Sequence, residues 1–151
     1  MLPYVAGGIG GIGILLLGYA TRQGRCLSFY STMLIVIALV YVLFGFMTGR
    51  PRVVITESLI AVGFMGAAVL GVRWRRVRAG SVLIAVGLVV HGLFDLAHNA
   101  MIENAAVPAW WPPFCGVVDG IIGLLLFGLI SQDRVTCAHH PPDTNNGGLL
   151  A

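Results

Sequence analysis

Lysine is absent from this chain, and charge of either sign is scarce. All nine cationic side chains are arginine, and charged residues make up 10% of the 151 positions. A soluble domain carries about 25%. A chain this short cannot hide a composition that is 58% hydrophobic from water, so the lipid bilayer is its expected solvent. The length predicts one domain with no separate catalytic head.

Other absences narrow the reading further. The three cysteines, Cys26, Cys115 and Cys137, form no CxxC pair and leave the redox compartment open. No positive charge precedes the first apolar run, and Arg22 and Arg25 follow it. That order argues for a retained first helix rather than a signal peptide. The arginines sit in short loops and build no continuous basic face, which excludes nucleic acid as a partner.

Five apolar runs are present: Pro3–Ala20, Leu27–Met47, Val53–Val72, Ser81–Asn99 and Phe114–Ile130. Roughly 20 residues at about 1.5 Å each cross a hydrocarbon core of about 30 Å. Open strands would leave backbone groups unpaired in lipid, so each run must be helical. The expected fold is all-α, a polytopic membrane helix bundle with five transmembrane helices over residues 1–131. The polar stretch 132–151 is expected to be a disordered cytoplasmic tail, with His139 and His140 incidental to any site. Gly7 and Gly11 form a GxxxG pair that predicts close helix packing within the chain rather than a dimer seam. The oligomeric state stays open.

Loops 1 and 3 and the tail hold Arg22, Arg25, Arg73, Arg75, Arg76, Arg78 and Arg134, against Arg50 and Arg52 in loop 2. The positive-inside rule then places the N-terminus outside and the C-terminus in the cytoplasm, in a plasma (inner) membrane. Loop 4, Ala100–Pro113, carries Trp110 and Trp111, which suit an interfacial anchor, and prolines that argue against regular helix there.

Chemistry concentrates in the fourth run, which reads His91-x3-Asp95-x2-His98. At about 100° per residue, Asp95 lies about 40° from His91, and His98 about 20° on the other side. Facing lipid, the charged Asp alone would cost roughly 2.5–3.5 kcal/mol. The stripe must therefore face the bundle interior. Glu57 in the third run and Asp119 in the fifth fall at the same expected depth, in the outer half, and Cys115 shares the face of Asp119.

No cation lies inside any run to balance three carboxylates. Such a cluster must hold protons, hold a cation or admit water. A divalent metal, zinc foremost, on His91, Asp95, His98 and Asp119 answers the imbalance, with Glu57 as a general base for metal-activated water. That reading makes the chain a metal-dependent hydrolase of a lipid or small amphiphilic substrate. A proton- or cation-coupled carrier and a structural subunit with a polar His–Asp network are the alternatives. Arg52 offers Glu57 a different partner at the interface.

The stretch from His91 to His98, followed by Trp111-Pro112-x-Phe114-Cys115-x3-Asp119, resembles an uncharacterised family of small integral membrane proteins from bacteria and fungi. Asn99 stands where members of that family carry a further histidine. The resemblance implies a site on the last two helices and supplies no reaction. A looser similarity links the chain to intramembrane zinc hydrolases of the alkaline ceramidase type, which have more spans and an HxxxH pair.

The expected orientation is open to a direct test. A C-terminal reporter active only in the cytoplasm should give signal, and one fused at the N-terminus should give none. The reverse pattern would overturn the assignment.

Overall fold

The computed structural model describes residues 1–74 and 76–136 and is built from five helices. They are α1 (Leu2–Ala20), α2 (Leu27–Met47), α3 (Pro51–Arg73), α4 (Val77–Met101) and α5 (Trp111–Ser131). Each is long and apolar enough to cross a membrane. Cys137, His139 and His140 lie outside the described residues. The described part of the tail turns back on loop 1, where the Thr136 amide donates to the Arg25 carbonyl at 2.8 Å.

Proline opens three of the helices. It stands in the first turn of α1, α3 and α5, where a missing N–H breaks no intrahelical bond and a fixed φ is already helical. Pro112 and Pro113 therefore start α5 at Trp111 instead of keeping that stretch out of the helix. α4 also outruns its apolar window at both ends. Val77–Gly80, with Arg78, extend it at the start and Ala100 and Met101 at the end, because a helix need not stop where the apolar run stops.

α4 is the central element. It packs most extensively on α5 and also against α3 and, less, α2. α2 pairs with α3, and α1 docks on α5. Without a hydrophobic force between spans, close backbone packing has to hold them together. Glycine provides it. A Cβ added at Gly92 would come within 2.9 Å of the Gly116 carbonyl, and one at Gly116 within 2.9 Å of the Gly92 carbonyl. Gly7 and Gly11 do the same for α1, against Phe114 and Ile121 of α5.

The interior divides by polarity along the bundle. An apolar cluster including Leu27, Leu34, Ala68, Ile84, Leu88, Ile122 and Ile130 fills the half nearest loops 1 and 3. The buried polar residues Glu57, His91, Asp95, His98 and Asp119 occupy the half nearest loops 2 and 4.

Gly116→Ala should lower stability by about 1–3 kcal/mol, because the added methyl overpacks the α4–α5 seam. Gly120→Ala on the same helix meets nothing within 4 Å and should leave thermal unfolding in detergent unchanged or slightly raised. Equal losses in the two variants would mean that the seam is not what holds these helices.

Candidate metal centre

The site grows from one turn of α4 and one of α5. His91 and Asp95 are four residues apart on α4 and share its inner face. The Gly92–Gly116 contact brings α5 close enough for Asp119 to reach them. His91 Nδ1 lies 2.8 Å from Asp119 Oδ2 and 3.6 Å from Asp95 Oδ2. His91 is 1% exposed, and Asp95 and Asp119 are 0% exposed.

These three residues could hold a metal ion. Each offers a ligating atom, and all three atoms lie within 4.8 Å of one another. The donor set of one imidazole nitrogen and two carboxylate oxygens suits zinc, iron or manganese and does not choose among them. The polar bookkeeping of the site fits an added cation. Both oxygens of Asp95 and Oδ1 of Asp119 are buried with no hydrogen-bond partner. Buried carboxylate oxygens are normally satisfied.

His98 and Glu57 make a second pair. His98 Nε2 is 2.9 Å from Glu57 Oε1, and the Asn104 side-chain amide donates to the same oxygen at 3.0 Å. Glu57 is therefore joined to α4 and loop 4. Among the described residues, Arg52 makes no ion pair. Glu57 Oε2 is buried without a partner. The five residues expected at one depth are all buried, in two groups: His91, Asp95 and Asp119, and Glu57 with His98. Cys115 is a free, buried thiol one turn before Asp119 and is not part of the converging set.

Two participants escaped the sequence reading. Tyr41 of α2 stacks on His98, with ring centroids 4.4 Å apart, and stands 6.1 Å from the His91 ring. Its hydroxyl is buried without a hydrogen-bond partner. A hydroxyl in the middle of an otherwise apolar run was the available signal. Asn104 closes its own turn by accepting the Ala106 amide at 3.2 Å, which sets its amide group toward Glu57. A loop asparagine gives no such sign in sequence. Tyr41, Glu57, Phe64, His91 and Phe94 border a narrow gap that does not admit a water molecule.

No family model, curated protein or solved structure matches the chain. The resemblance to small membrane proteins therefore rests on its motif alone.

The second pair makes its own prediction. His98→Leu strands a buried carboxylate and should cost about 3–5 kcal/mol, whereas replacing both partners should be far less costly. Unfolding of His98→Leu and of Glu57→Leu/His98→Leu in detergent tests this. A double variant no more stable than the single one would show that Glu57 is not stabilised through His98.

Proposed function

We propose that this is an integral membrane protein that holds one divalent metal ion on His91, Asp95 and Asp119. The observation that carries the reading is the unpartnered state of three carboxylate oxygens beside a single imidazole. A bound divalent ion would satisfy all three and balance their charge, to which no arginine among the described residues is paired. A proton- or cation-coupled carrier ranks second, because among the described residues the buried ionisable side chains lie in one half of the bundle and an apolar cluster fills the other.

The proposal extends to a reaction class. A metal with an open position supplies an activated water at neutral pH. Glu57 is the residue of this chain suited to accept a proton, since its Oε2 is unpartnered and it borders the same gap as His91. Phe64, Phe94 and Tyr41 would have to shift to admit a substrate, which makes the substrate an apolar or amphiphilic molecule entering from lipid. Charge in the loops supports a plasma-membrane location with this half of the bundle outward.

Elemental analysis of protein purified without a metal-affinity step should find about one zinc, iron or manganese per chain, and His91→Ala and Asp119→Ala should lose it. Wild-type content below about 0.2 per chain, unchanged in both variants, would sink the metal reading. Glu57→Gln should keep the metal and abolish hydrolysis. Metal retained in His91→Ala with only a lower melting temperature would favour a structural His–Asp network.

A further inference from the structure

A second built feature lies at the opposite end of the bundle from the His–Asp group. α1 packs on α5 and leaves a cleft of ≈ 390 Å³ toward the start of α2. That volume is within the range of small-ligand pockets, about 300–1,000 Å³. Its walls are Leu15 and Gly18 of α1, Phe29 and Tyr30 of α2, and Leu125 and Leu129 of α5, and its rim holds Arg22 and Arg25.

The rim is ordered by the chain itself. The amides of Gln23 and Gly24 both donate to the Gly18 carbonyl, at 2.9 and 2.8 Å, and the Tyr30 hydroxyl donates to the Gly24 carbonyl at 2.7 Å. The Arg25 carbonyl accepts the Thr136 amide. Arg22 sits at φ 58, a left-handed conformation that costs a non-glycine residue of order 1–3 kcal/mol and persists only where its surroundings enforce it. The backbone of Arg22 and Arg25 is thus ordered beside an apolar cleft that both residues help to line. Among the described residues, neither has an ion-pair partner.

We infer that this cleft binds one anionic phospholipid, its acyl chain between α1, α2 and α5 and its phosphate on Arg22 and Arg25. The apolar wall needs a hydrocarbon occupant, and the uncompensated rim needs an anion. A phospholipid joins both in one molecule, and basic pockets between spans recognise such headgroups. Guanidinium groups suit phosphate because their planar donors pair with its oxygens two at a time. The site is independent of the metal centre and uses none of its residues.

Native mass spectrometry of the full chain in detergent tests this, with phosphatidylglycerol, phosphatidylcholine and inorganic phosphate as separate probes. Phosphatidylglycerol should be retained as a single adduct about tenfold or more tightly than phosphatidylcholine. Arg22→Asn/Arg25→Gln should erase that preference, asparagine being chosen because it tolerates the left-handed backbone. Leu15→Trp, which fills the cleft and leaves the rim intact, should weaken both lipids. Equal retention of the two lipids by the wild type, or an unchanged preference in the arginine variant, would overturn the inference. Inorganic phosphate displacing the lipid at comparable concentration would also overturn it, since the cleft would then contribute nothing.

Discussion

An ionisable side chain within a membrane span has to be enclosed by protein, and most of this architecture follows from that demand. α4 carries His91, Asp95 and His98, so α4 must be the most enclosed helix. Enclosure in lipid cannot come from a hydrophobic force between helices. It comes from backbone approach, and here from Gly92 against Gly116. The same contact that seals α4 also carries Asp119 to 2.8 Å from His91. Packing and site are one event, because larger side chains at either glycine would move the carboxylate away from the imidazole.

Satisfying the group is a separate matter from enclosing it. His91 Nδ1 has two carboxylates within reach and makes its one hydrogen bond with the nearer, Asp119, at 2.8 Å. Asp95 is left with both oxygens unpartnered. Adding a proton to Asp95 would create a donor that also needs an acceptor. A cation shared by the three side chains would meet both demands, so hydrogen-bond accounting and charge accounting support the proposed metal site alike. In the Glu57–His98 pair a histidine and an asparagine both serve Oε1, and Oε2 is left without a partner, as Oδ1 of Asp119 is.

The five helices were legible because spanning segments are long, continuous and nearly free of charge. The polar stripe on α4 was legible because 3.6-residue periodicity brings residues 91, 95 and 98 onto one face. Its partition into two groups was not. On a helical wheel Asp95 and His98 differ by about 60°, and which neighbour each one meets depends on α3 and α5, whose rotation about their own axes carries little sequence signal when every face is apolar. Tyr41 was hidden for the same reason. The start of α5 was misjudged because proline excludes helix interiors but favours first turns, and sequence alone does not say which of these applies at Pro112.

α1 is the helix with the least to hold it. It meets α5 closely but has only three buried residues, all glycine. At one end Gly7 lies against the Phe114 carbonyl and Gly10 against the Phe114 ring, next to Cys115 and five residues before Asp119. At the other end α1 stands away from the start of α2 and borders the arginine-rimmed cleft. A lipid chain in that cleft would touch Leu15 of α1 and both Leu125 and Leu129 of α5, bracing the two helices where glycine contact no longer does. α5 is the only helix common to the cleft and to the His–Asp group. How Asp119 meets His91 is set on the other side of α5, by Gly92 against Gly116, so α5 answers to two neighbours at once: glycine contact with α4 positions the carboxylate, and α1 with the proposed lipid would brace the face turned away from it.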